Sequence, residues 1–98
     1  MKYAAIITYS QDKAKIAEVR PAHRQYLGQL LHQGQLAASG PFTDDSGALI
    51  VYEAESRETA EQLLQGDPFH TAGVFVQWEL RPWKTVIANR GLFPDGVA

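Results

Sequence analysis

Two short segments of this chain are apolar on both of their faces, and that feature narrows its folding options more than any other. Lys2 to Tyr9 reads KYAAIITY, and Ala48 to Ala54 reads ALIVYEA. In an extended backbone successive side chains point to opposite sides. Ala4 and Ile6 then face away from Tyr3, Ala5 and Ile7, while Leu49 and Val51 face away from Ala48, Ile50 and Tyr52. Strands of this kind belong in the middle of a sheet with something covering each face. A chain of 98 residues has few helices to spend on two faces, and a domain this small buries its core with little margin.

The rest of the chain supplies the other elements. Asp12 to Val19 is expected to form a short helical turn capped by Asp12, because Pro21 pushes Arg20 toward an extended backbone and gives the chain a better helix start. The main helix is then expected from Pro21 to about Gln33, with Tyr26, Leu27, Leu30 and Leu31 as its buried stripe and Gly34 as its stop. Gln35 to Phe42 reads as a second strand running out at Gly40 and Pro41. A polar turn from Thr43 to Gly47 leads into the third, Ala48 to Ala54. Ser56 opens a second helix that buries Ala60, Leu63 and Leu64 and ends at Gly66, a residue suited to the left-handed position after a helix. A short turn covers Pro68 to Ala72. Val74 to Leu80 alternates, with Val74, Val76, Trp78 and Leu80 expected on one side, and Pro82-Trp83 ends it. Residues 85–98 scatter Val86, Ile87, Leu92 and Phe93 among glycine and proline, which predicts an irregular tail that packs where it can, beyond a single domain of residues 1–84.

The order βαββαβ defines an α+β, ferredoxin-like domain, a four-stranded antiparallel sheet with both helices on one face. Its central strands are the first and third, the two that are apolar on both sides. The helices cover one side, so the other predicts a homodimer through the sheet faces.

Composition removes several classes of function. There is no cysteine, hence no disulfide, thiolate nucleophile or cysteine-bound metal, and the net charge of −2 with scattered Lys and Arg offers no patch for nucleic acid. No apolar run is long enough for a membrane span or a signal peptide, so a soluble cytoplasmic protein is expected. No phosphate-binding glycine loop, nucleotide fingerprint or Ser-His-Asp pattern is present, and His32 and His70 do not fall at metal-ligand spacing from His23, so neither cofactor nor metal is expected.

Candidate chemistry gathers at two places. Gly66-Asp67-Pro68 holds a carboxylate at a corner, where Asp67 either caps the turn that follows or serves as a partner for another side chain. His23 lies four residues before Leu27 and seven before Leu30, on the stripe that faces the sheet. An inward imidazole either bonds a backbone carbonyl in the core or, oriented by a carboxylate such as Asp67, acts as a general base near neutral pH. Arg20 could receive an anionic substrate group, and Ser39, Gly40 and Pro41 could let backbone approach a ligand. Tyr3, Tyr9, Trp78 and Trp83 read as core or dimer contacts.

Arg20-Pro21-x-His23, Gly40-Pro41, Gly47, Asp67-Pro68-Phe69, Ala72-Gly73-Val74-Phe75 and Pro82-Trp83, in this order and spacing, resemble the YCII-related (YciI-like) family of the dimeric α/β-barrel superfamily over roughly residues 1–84. The resemblance implies a ferredoxin-like protomer, a dimer through the sheets, and a cleft whose proposed catalytic histidine and aspartate fall on His23 and Asp67. One relative type is a dehydrochlorinase of chlorinated hydroxyhydroquinones, while many have no assigned substrate. Two functions are therefore expected to compete. One is a small cofactor-free lyase, isomerase or dehalogenase in which His23 and Asp67 move a proton on a cyclic or phenolic molecule. The other is a non-catalytic small-molecule-binding or protein-interaction module.

Overall fold

In the computed structural model, which describes residues 1–96, the two doubly apolar segments become the central strands. The elements run β1 (Lys2–Tyr9), α1 (Lys13–His32), β2 (Leu36–Pro41), β3 (Gly47–Glu53), α2 (Arg57–Gln65), α3 (Pro68–Thr71) and β4 (Phe75–Trp83), followed by a 3₁₀ turn at Arg90–Leu92. The sheet order is β2-β3-β1-β4 and every pairing is antiparallel. Ala5 lies opposite Ile50 and Ile7 opposite Ala48 on the face that packs with Leu27 and Leu30 of α1 and Ala60 and Leu64 of α2. β3 begins so close to β1 that a Cβ at Gly47 would overlap the carbonyl oxygen of Ile7, which is why glycine opens it. On the opposite face Ile6 and Leu49, paired with each other, remain 44% and 42% exposed, whereas Val51 on that face is 5% exposed.

Several expectations needed correction. The turn over Asp12–Val19 and the helix from Pro21 are one continuous α1 of 20 residues, with Asp12 as its cap and Pro21 in its interior. Proline costs that helix the bond to the Ala17 carbonyl. Ala17 and Pro21 both lie on the exposed side, where water can take up the carbonyl, while Ile16 before them and His23, Leu27 and Leu30 after them anchor both halves to the core. Arg20 is accordingly helical rather than extended. In β4 the expected side assignment slips, because a register shift at Thr8/Tyr9 places Phe75 opposite Tyr9, Trp78 opposite Ile7 and Leu80 opposite Ala5. Phe75 is buried and Val76 is 56% exposed. The strand also continues through Pro82 to Trp83, which an edge strand tolerates because the missing N–H faces no neighbour.

Gly66 is right-handed at φ −77°, not left-handed; what makes it glycine is space, since a Cβ there would sit 2.9 Å from the Tyr26 hydroxyl. The tail also departs from expectation. Val86, Ile87, Leu92 and Phe93 are 61–92% exposed, so it does not pack against its own domain, and residues 97 and 98 of that tail lie outside the described residues. Among the described residues no helix is long and apolar enough to cross a membrane.

Candidate active site

Three elements converge beside the end of β1. Pro68 forces Asp67 out of the helical region, to φ −69° and ψ 133°, and this turns the Asp67 side chain back over the first turn of α3. There its Oδ1 accepts the Phe69 N–H at 2.9 Å. The same carboxylate receives His23 from α1: Nδ1 lies 2.8 Å from both Oδ1 and Oδ2. The two readings of Asp67, helix cap and side-chain partner, are thus both realised in one residue. Asp67 is fully buried and His23 is 6% exposed. A hydrogen bond from the Tyr26 hydroxyl to the Leu63 carbonyl at 2.6 Å fastens α1 to the end of α2, directly before this corner.

A carboxylate taken out of water is costly unless donors surround it. Here the Phe69 amide and the imidazole are those donors. With the carboxylate as acceptor, Nδ1 carries a hydrogen, and in the neutral ring Nε2 keeps its lone pair. Among the described residues Nε2 has no hydrogen-bond partner, yet it is not sealed, since the Tyr52 hydroxyl is the only fully buried side-chain polar atom without a partner among them. Nε2 therefore reaches the surface while the rest of the ring is held. Phe69 stacks on the imidazole with centroids 4.0 Å apart and planes at 11°, and Phe75 meets its edge at 6.2 Å. These contacts fix the orientation of the ring.

Tyr9, the last residue of β1, completes the cluster, edge-on to Phe69 at 5.4 Å and stacked on Phe75 at 6.2 Å. Burial pushes its hydroxyl up to about 12, while the Arg20 charge pulls the other way. It is a proton carrier at neutral pH, not a base. Burial likewise raises Tyr26 and Tyr52, with the negative charge of Asp67 next in importance for both.

The remaining candidates are placed as follows. Arg20, one turn before His23, is paired with Asp45 at 2.6 Å, and Lys13 reaches the Asp45 carbonyl at 3.4 Å. These contacts hold the β2–β3 turn against α1, with Asp45 in the left-handed region at φ 61°. Ser39, Gly40 and Pro41 lie on edge strand β2, separated from β1 by β3, and the structure does not bring them to His23 or Asp67. His70 packs edge-on against Trp78 at 5.2 Å, and His32 is exposed in the last turn of α1. Among the described residues no group of three His, Asp or Glu is placed to hold a metal ion. Two open surface cavities of about 490 and 430 Å³ are lined by Met1 and Glu53 at the other end of β1, seven strand residues from Tyr9 and so about 23 Å away. They have no part in this constellation.

Sequence reasoning assigned Tyr9 to core or dimer contacts and overlooked Asp45. The signal for Tyr9 was present, since the alternation that turns Tyr3, Ala5 and Ile7 toward the helices turns Tyr9 there too, at the strand end nearest the Asp67 corner. Asp45 had none, because its role depends on a turn folding back on α1.

A ferredoxin-like protomer of the dimeric α/β-barrel class, carrying a buried His-Asp pair, is what fold and site define. The comparisons agree: the YCII-related domain profile matches residues 1–84, and the chain belongs to that family. Protein YciI of Escherichia coli O6:H1 is 38% identical over 95 residues, spanning 82% of this chain and 96% of the relative. YjpA of Bacillus subtilis is 32% identical over 63 residues, spanning 60% of this chain and 74% of the relative. Among solved structures, a 5-chloro-2-hydroxyhydroquinone dehydrochlorinase from Burkholderia phenoliruptrix, in complex with 2,5-dihydroxybenzoquinone, superposes with a TM-score of 0.75 at 26% identity, covering 86% of this chain and 94% of that one. Muconolactone isomerase shares the fold at a TM-score of 0.60 and 13% identity, over 98% and 99% of the two chains.

The double duty of Asp67 gives a measurable stability pattern. Asp67→Leu leaves the Phe69 amide and the His23 Nδ1–H as buried donors without acceptors, at about 1–3 kcal/mol each. Asp67→Asn keeps an oxygen for the Phe69 amide. Thermal denaturation followed by circular dichroism should show a drop of more than ten degrees for Asp67→Leu and of only a few degrees for Asp67→Asn, about the effect of 1 kcal/mol in a domain of this size.

Proposed function

We propose that this protein is a small enzyme that needs no cofactor and uses His23, oriented by Asp67, to move a proton on a small cyclic or phenolic organic substrate, in a reaction of the lyase, isomerase or dehalogenase type. The observation that carries this reading is the buried hydrogen-bonded His-Asp geometry with one ring nitrogen left open, Nδ1 held at 2.8 Å by both carboxylate oxygens and Nε2 unpartnered among the described residues. Nε2 takes a proton from the substrate. Asp67 holds the imidazolium that results and fixes which nitrogen does the work; in an isomerisation the ring returns the proton to another atom of the substrate, and in a lyase or dehalogenase reaction the leaving group departs with the electrons of its bond while the ring gives the proton up to it or to water. The likeness to a dehydrochlorinase bound to 2,5-dihydroxybenzoquinone supports a hydroxylated ring as substrate class. Arg20 lies one turn from His23, with its guanidinium paired to Asp45.

The working unit in this proposal is a homodimer. Ile6 and Leu49 form an uncovered apolar pair at the centre of the outer sheet face, with half-exposed Trp83 at the same face's edge. A second copy placing the same face against it is the economical cover. Light scattering at micromolar concentration should give twice the chain mass for the wild type, and Ile6→Glu should give a folded monomer; a wild-type monomer would contradict the dimer.

The catalytic proposal is tested with 2,5-dihydroxybenzoquinone as binding probe and 5-chloro-2-hydroxyhydroquinone as trial substrate. The wild type should bind the quinone saturably. His23→Asn and Asp67→Asn should each lose at least tenfold in turnover, and the double variant should lose no more than the worse single one, because two groups acting as a unit cannot be removed twice. Binding without turnover of any hydroxylated ring would favour a non-catalytic binding module.

A further inference from the structure

His23 accounts for one end of a proton transfer, and the group that meets the charge left behind on the substrate has not been identified. Tyr9 is placed for it. Its ring is 5% exposed and rests on Phe69 and Phe75, the two rings that also hold the His23 imidazole, so the two side chains share one wall. A buried tyrosine ordinarily gives its hydroxyl to a neighbouring acceptor. This one does not: among the described residues the Tyr9 hydroxyl has no hydrogen-bond partner, and unlike the Tyr52 hydroxyl it is not sealed from the surface. Tyr26, by contrast, spends its hydroxyl on the Leu63 carbonyl. Arg20, Asp45, Asp67 and Arg24 are the charged groups that act on Tyr9, and Arg20 is already committed to Asp45. The open nitrogen of His23 and the open hydroxyl of Tyr9 are thus two unpaired polar atoms at the margin of one aromatic cluster.

Resting on the acid-base reading above, we propose that Tyr9 is a second catalytic residue, whose hydroxyl donates a hydrogen bond to the substrate oxygen on which negative charge gathers as His23 removes a proton. The step balances without an outside reagent. The substrate C–H or O–H bond breaks, the Nε2–H bond forms, and the electron pair comes to rest on a carbonyl, enol or phenol oxygen held by the Tyr9 O–H; reversal of these movements delivers the proton to its new position. With burial pushing it up to about 12, the hydroxyl stays protonated at neutral pH, so it donates to the developing anion and does not compete with His23 as a base. The substrate class follows as well. It must present an oxygen conjugated to the proton-losing atom, as hydroxylated aromatic rings, quinones and enolisable lactones do.

Tyr9→Phe removes one oxygen that bonds nothing in the protein, so the midpoint of thermal unfolding should stay within a few degrees of the wild type. The test is a titration of wild type, Tyr9→Phe and His23→Asn with 2,5-dihydroxybenzoquinone, followed by the visible absorption of the quinone. Tyr9→Phe should bind at least tenfold more weakly than the wild type, as loss of a donor to a charged oxygen does. Tyr9→Phe binding equal to wild type, with weakened His23→Asn, would overturn the role of Tyr9 and leave the His23 reading standing. No saturable binding by folded wild type would overturn the substrate class and this inference together. A collapse of folding in Tyr9→Phe would show that the hydroxyl has a structural partner and would likewise overturn the proposal.

Discussion

A carboxylate with no exposure to water has to be satisfied by the protein alone, and much of this chain is arranged to satisfy Asp67. Phe69 supplies a backbone N–H and His23 supplies a ring N–H. Removing either donor would strand charge in a low-dielectric interior, where an unpaired group costs several kcal/mol. The demand propagates outward. The helix α1 presents His23 on the same stripe as Leu27 and Leu30. The α2–α3 corner must be tight enough for Asp67 to face α1, and Gly66 allows it because the Tyr26 hydroxyl occupies the space where a side chain would begin. The contact that stabilises the corner is also the one that leaves Nε2 as the free nitrogen.

Much of this was legible in the residues. The doubly apolar β1 and β3 announced central strands, the Asp-Pro pair announced a corner, and the position of His23 on an apolar stripe announced an inward imidazole. Where reading failed, a tertiary effect overrode a local one. Pro21 is a sound helix breaker by local rules, yet burial on both sides of it keeps α1 whole. Phe75 and Val76 exchange sides because a register shift at Thr8/Tyr9 cannot be seen from β4 alone. Gly66 was assigned to backbone freedom when the cause was a neighbour more than thirty residues away in sequence, Tyr26. Tyr9 was sorted by residue type, as an aromatic of the core, when its location at the site end of β1 was the informative fact. Ile6 and Leu49 on the outer sheet face and Val86, Ile87, Leu92 and Phe93 in the tail remain exposed, so the buried surface of one chain does not account for all its apolar residues.

The division of labour in the site follows from environment, not residue type. Three tyrosines feel the charge of Asp67, and each spends its hydroxyl differently: Tyr26 on a backbone carbonyl, Tyr52 in a sealed interior, and Tyr9 unsealed and without a partner among the described residues. His23 and Asp67 are likewise asymmetric, one with an open atom and the other with none.

The central claim, that Asp67 fixes His23 with its hydrogen on Nδ1 and its lone pair on Nε2, is tested most directly by the ¹⁵N NMR signals of the His23 ring in its neutral form. In the wild type Nδ1 should carry the protonated-nitrogen shift and Nε2 the shift of a bare, basic nitrogen. In Asp67→Asn the side-chain amide can keep its oxygen on the Phe69 amide and offer an N–H to Nδ1, so the pattern should invert, with the hydrogen moving to Nε2. A wild-type ring already protonated on Nε2, or one whose pattern is unchanged in Asp67→Asn, would show that the carboxylate does not set the tautomer and would contradict the account.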